Sequence, residues 1–104
     1  MRISKEKIQK IKENILAFVY SNSPQSVFTA DIAHEIARDE EFIKKLLLEM
    51  EKEKLVIAVK KNNKGINYLR RIRWRLPSHI FEAYNKIQRQ KIEYDEKNNT
   101  YAYY

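Results

Sequence analysis

The sequence predicts one α+β domain, mainly α, in which three short helices lead into a basic β-hairpin and a further helix follows. Three observations predict it. Apolar residues recur at helical spacing through 4–20, 30–38 and 39–53. Residues 66–76 alternate instead, with Ile66, Tyr68, Ile72, Trp74 and Leu76 on one parity and Leu69, Arg71, Arg73 and Arg75 on the other, the period of a strand. Charge is concentrated in one place: between Glu53 and Glu82 there is no acidic residue and there are eight basic ones, Lys54, Lys60, Lys61, Lys64, Arg70, Arg71, Arg73 and Arg75.

The first helix runs from Ser4 to Tyr20. Ile8, Ile11, Ile15 and Val19 form its apolar stripe, with Lys5, Lys7, Lys10, Lys12 and Glu13 between them. Ser4 suits the N-cap, and Ile3 can staple onto Ile8. Ser21-Asn22-Ser23-Pro24 ends the helix, and Ser26-Val27-Phe28 can add a short third strand to the hairpin.

Thr29 offers an N-cap for a second helix, Ala30 to Arg38, whose inward face carries Ile32, Ala33, Ile36 and Ala37. Asp39 caps a third helix after a tight connection, with Glu40 and Glu41 in a first turn where negative charge suits the helix dipole. Ile43, Leu46, Leu47 and Met50 form its buried stripe. The opposite side then carries Glu41, Lys45, Leu48 and Lys52, with Lys44 at its edge.

The hairpin follows. Leu55 to Lys60 is rich in β-branched residues, and Lys61-Asn62-Asn63-Lys64-Gly65 holds the only glycine, beside asparagines that tolerate positive φ at a hairpin tip. Residues 1–53 carry nine basic and ten acidic side chains and 82–104 four of each, so the net charge of +7 comes from residues 54–81. A field that local is what a polyanion partner requires. Charged residues also blunt edge strands against aggregation, but that device needs no single sign.

Beyond Pro77, Ser78 can cap a helix over 78–91 with Ile80, Ala83, Tyr84 and Ile87 on one face and Phe81 beside them. It either packs on the first helix or makes a homodimer contact. The tail 92–104 alternates Ile92 with Tyr94 and Tyr101 with Tyr103 around Lys97-Asn98-Asn99, a pattern a small hairpin would give.

The chain's order is helix, short strand, helix, tight turn, helix, basic hairpin, helix, and its central part is residues 29–77, from Thr29-Ala30-Asp31 to Arg75-Leu76-Pro77. This segment resembles the winged helix-turn-helix DNA-binding family of small transcriptional regulators. Ile43, Leu47 and Met50 match the buried spacing of the family's recognition helix. Lys54-Leu55-Val56 matches its approach to the wing, and Trp74 with Leu76 matches the close of its last strand. The resemblance covers about residues 5–77. It implies a three-helix core with a hairpin wing, an added C-terminal helix, and binding of double-stranded DNA by a regulator that dimerises through that helix.

In that frame Glu41, Lys45 and Leu48 face bases, while Lys44, Lys52, Lys60, Lys61, Lys64, Arg71, Arg73 and Arg75 meet phosphates or set the wing in the adjacent minor groove. Three departures stand out. Lys54 occupies a position where many members have Gly, and the second hairpin strand is longer than the first, which calls for a bulge near Leu69-Arg70 or a large wing. The third helix also begins Asp39-Glu40-Glu41. Those carboxylates serve as cap and dipole partners, or Glu41 accepts from a cytosine amino group, or the helix stays out of the groove and the wing alone binds.

Other classes find less support. His34 and His79 fall on different elements, there is no Cys and no Gly-rich phosphate loop, and the carboxylates sit at helix starts or in pairing positions. No enzyme activity, metal or cofactor is expected. No apolar run approaches the ~20 residues that span a bilayer, so the expected location is the cytoplasm, at the nucleoid for a prokaryotic or viral protein. Two rivals remain: a protein-interaction module in a nucleic-acid-processing assembly, and an RNA or single-strand binder that stacks bases on the tyrosine-rich tail.

Overall fold

The computed structural model describes residues 3–60 and 72–102. Its elements run α1 (Lys5–Asn22), β1 (Val27–Phe28), α2 (Thr29–Ile36), α3 (Glu40–Lys52), β2 (Ile57–Val59), β3 (Arg73–Arg75) and α4 (Ser78–Ala102). The expected hairpin tip, with Lys61, Lys64, Gly65, Arg71 and the bulge near Leu69-Arg70, lies outside the described residues.

Helices α1 and α3 start where a short polar side chain takes a free N–H. Ser4 Oγ accepts from Lys7 N–H at 3.2 Å, and Asp39 Oδ2 accepts from Phe42 N–H at 3.2 Å. Helix α2 departs from the sequence expectation. It spans Thr29–Ile36, and Asp31 Oδ2 takes the Phe28 N–H at 3.3 Å. Thr29 is no cap, because its hydroxyl is buried and accepts from Trp74 Nε1 at 2.8 Å.

Nor does Ala37 join the inward face. It ends α2 in the left-handed region at φ 59°, and the Arg38 N–H reaches back to the Ala33 carbonyl. Lys54 does the same after α3, at φ 62°, with Leu55 N–H bonded to the Met50 carbonyl. The position that resembles the family's glycine thus has the backbone a glycine favours.

The sheet order is β1-β3-β2, antiparallel throughout. Val27 and Ala58 stand opposite Trp74 on the core face; Phe28 and Val59 flank Arg73, and Ile57 stands opposite Arg75, on the other face. The alternation read from Ile72 to Leu76 is therefore the real one. Trp74 is fully buried among Ile15, Val19, Ile32, Ile43, Leu47, Met50 and Val56. Burying an indole removes roughly 150–250 Å² from water, worth about 4–6 kcal/mol before entropy is counted.

Helix α4 starts at Ser78, where the Pro77 carbonyl accepts from the Ile80 and Phe81 N–H groups. Ile80, Phe81 and Tyr84 pack against the core, whereas Ala83 and Ile87 are exposed. Tyr20 of α1 holds this start. Its ring stacks on Tyr84 at 5.3 Å and tilts on Phe81 at 5.5 Å, and its hydroxyl donates to the Asn85 side-chain oxygen. The helix then continues to Ala102, so the expected helix end at 91 and the small hairpin expected past it are corrected as far as residue 102, the last one described. Residues 86–95 run Lys-Ile-Gln-Arg-Gln-Lys-Ile-Glu-Tyr-Asp without Gly or Pro, and such a run favours helix over turn.

Candidate nucleic-acid interface

Helix α3 is held by its apolar stripe. Ile43, Leu46, Leu47 and Met50 are buried, which fixes its rotation about its own axis. Glu41, Lys44, Lys45 and Lys52 are consequently exposed, and Leu48, at 38% exposure, is a large apolar side chain left facing water on the same side. These five positions recur at helical spacing and make one continuous face. The structure brings them together as the sequence predicts.

The basic hairpin contributes at a second place. Lys60 is exposed just after β2, and Arg73 is half-buried opposite Val59, next in register. Lys61, Lys64 and Arg71 lie outside the described residues. Arg75 lines an open cleft of about 240 Å³ with Ser23, Pro24, Leu76, Ser78, Phe81 and Glu82. Those neighbours come from the α1–β1 connection, the β3–α4 connection and the first turns of α4, so Arg75 stands at the base of the hairpin.

Two residues at this interface escape a sequence reading. Arg38, half-buried in the turn between α2 and α3, adds a cation one residue before the Asp39 cap. Lys12 of α1 reaches across to the last turns of α3, with Nζ 2.9 Å from Glu53 Oε1 and 3.5 Å from Glu49 Oε2. The hydrogen bond to Glu53 raises the Lys12 pKa above its ordinary value, burial opposes that shift, and the charges of Glu53 and Glu49 add to it. One signal was available for Lys12: it adjoins Ile11 at the border of the α1 stripe. Nothing local in the sequence names its partners, 37 and 41 residues away.

On the α3 face and the hairpin base the cations are joined by Glu41 and the apolar tip of Leu48, while Glu49 and Glu53 at the rim are engaged by Lys12, an arrangement suited to holding an anion rather than to bond chemistry. Among the described residues no cluster of His, Asp and Glu could hold a metal ion, and no helix is long and apolar enough to cross a membrane.

No family model matches the chain, and neither does any curated protein. Solved structures do. The Zalpha domain of Carassius auratus PKZ, crystallised with Z-DNA, superposes at a TM-score of 0.53 with 20% identity, over 68% of this chain and 98% of that one. The S. aureus MepR–DNA complex matches at 0.60 with 18% identity, over 91% and 80%. An apo-form mutant of Lactococcus lactis ZitR matches at 0.57 with 16% identity, over 91% and 72%. Three helices, a three-stranded sheet with the last strand in its centre, and this likeness agree: the chain has the winged helix-turn-helix fold.

Proposed function

We propose that this protein binds double-stranded DNA through the exposed face of α3 and the basic hairpin, as a sequence-specific transcriptional regulator. The observation that carries the reading is the α3 face itself: Glu41, Lys44, Lys45, Leu48 and Lys52 point away from the core on a helix whose rotation the buried stripe dictates. Two neighbours of the same fold, the Zalpha domain and MepR, were solved with DNA.

In this reading Lys45, Glu41 and Leu48 meet base edges in the major groove, and Lys44, Lys52, Lys60 and Arg73 meet phosphates, with Lys61, Lys64 and Arg71 extending the contact along the wing. Arg75, at the hairpin base, reaches phosphate only if the duplex spans the whole sheet face. Dimerisation through α4 completes the proposal. Beyond Asn85 the helix is exposed through Asp95, with Ile87 at 56% and Tyr94 at 66%, seven residues apart on one side. A second copy covering that stripe sets two half-sites about one helical turn apart.

The test is a salt titration on random-sequence duplex DNA, comparing wild type with Lys44→Ala/Lys52→Ala/Arg73→Ala. Three lost phosphate contacts flatten the slope of log affinity against log salt by about 2.7 units. Equal slopes, or no affinity in wild type, would remove the duplex reading and favour a protein partner for the same face. Selection from a randomised duplex pool then tests sequence specificity, and sedimentation of Ile87→Glu against wild type tests the dimer.

A further inference from the structure

The α3 face has a weakness that α1 offsets. Besides Lys44, Lys45 and Lys52, the helix carries Glu49, four residues after Lys45 and three before Lys52. At those spacings on an exposed helix, Glu and Lys side chains pair with one another. A free Glu49 would therefore draw both lysines sideways, and with Glu53 it would present negative charge beside any bound phosphate. Neither Lys45 nor Lys52 forms an ion pair with a described residue; both carboxylates are engaged by Lys12 instead. The Lys12 side chain is 13% exposed while those of Glu49 and Glu53 are 49% and 51% exposed, so a lysine whose stem is mostly covered restrains two half-exposed carboxylates at the rim of the face.

We propose that Lys12 is a positioning residue for nucleic-acid binding: by holding Glu49 and Glu53 it leaves Lys45 and Lys52 unpaired for the duplex. This rests on α3 being the duplex-binding face. Lys12 itself lies on α1 and touches no nucleic acid in this arrangement. Its effect is electrostatic, exerted through two side chains on the neighbouring helix.

The test compares wild type, Lys12→Met, Glu49→Gln/Glu53→Gln and the triple variant, each first checked for the wild-type circular dichroism spectrum, on a random-sequence duplex across a salt series. Lys12→Met weakens binding roughly three- to tenfold at low salt, and the loss shrinks as salt screens the exposed carboxylates. The triple variant returns to within about twofold of wild type, because the two carboxylates that Lys12 held away from Lys45 and Lys52 are gone. A purely structural role for Lys12 gives the opposite result: the triple variant also lacks the bridge and stays as weak as Lys12→Met, which overturns the proposal. Equal binding by Lys12→Met and wild type overturns it as well.

If Lys12→Met does not fold, Lys12→Gln, which removes the charge and keeps a polar tip, takes its place alone and with Glu49→Gln/Glu53→Gln. The same outcomes apply to it: weakened binding restored in its triple variant supports the proposal, and equal weakness in both, or no weakening, overturns it. Wild type that fails to bind duplex at all is a separate outcome, which removes the proposed function and this inference with it.

Discussion

Trp74 and Thr29, 45 residues apart, share a buried hydrogen bond: the indole N–H donates to the threonine Oγ1 at 2.8 Å. It ties the central strand of the sheet to the first turn of α2, and so fixes the base of the hairpin against the helices. Among the described residues no buried side-chain polar atom lacks a partner, and this bond is what satisfies the indole. Thr29→Val keeps the shape and removes the acceptor. The expected loss is about 1–3 kcal/mol in urea denaturation, since the N–H stays buried without a partner. Trp74→Phe in the same background should cost less than it does alone, and simple additivity of the two would show that the bond carries no such weight.

Lys54 pays a backbone strain that its side chain does nothing to relieve: it is exposed, at φ 62°. Lys54→Gly should raise stability by roughly 0.5–1 kcal/mol, from the removed left-handed strain less the added freedom of the unfolded chain. The denaturant midpoint then rises with the slope unchanged. A lowered midpoint would mean that the lysine makes a compensating contact.

Asp39 separates capping from charge. Asp39→Asn keeps an oxygen for the Phe42 N–H and removes one negative charge from the start of α3, so stability should change by no more than about 0.5 kcal/mol. Affinity for random duplex should rise at low salt, with the gain vanishing at high salt. A loss of affinity would assign the acidic start of α3 a direct role in binding.

Alkaline pH should destabilise the fold through two groups. Lys12 has its pKa raised from 10.5, first by the hydrogen bond to Glu53, and Tyr84 has its pKa raised from 10.0, first by burial and then by the charge of Glu13. Both groups hold their protons more tightly folded than unfolded. Their contribution is whole below the unfolded values and is lost as pH rises through the folded ones, so stability should fall above about pH 10. Tyr84→Phe should shallow that fall. An identical pH profile in this variant would show that Tyr84 titrates normally.

The local signals in this chain were legible because local physics sets them. Ser4 and Asp39 cap where short oxygen-bearing side chains precede apolar periodicity, and Ile43, Leu46, Leu47 and Met50 bury together because helical spacing leaves no other arrangement. The alternation from Ile72 to Leu76 places Trp74 inside and Arg75 outside for the same reason. Thr29 was misread because its first choice as a cap lost to a distant indole, a contact no window of sequence contains. Ala37 was misread because its side chain suits the helix interior while the chain needed a left-handed turn before Asp39. The tail was misread because tyrosine alternation is also compatible with a helix, and its lack of Gly and Pro was the better guide. On the α3 face each cation could be placed from the wheel alone; which carboxylates are already engaged could not, because Lys12 is on another helix.

The central strand of the sheet is the last one to be made. β1 and β2 do not pair with each other, and each needs β3, which arrives about 45 residues after β1. A ribosome that has released only the first 70 residues has thus delivered three helices and two strands with open edges, and no ladder between them. Closing the sheet must wait for Trp74, so the step that joins residues 27 and 74 is the long loop closure in the folding of this domain. A chain interrupted just short of Arg73 would retain α1, α2 and α3 and lose α4, the hairpin base, the indole and both strand pairings in a single cut.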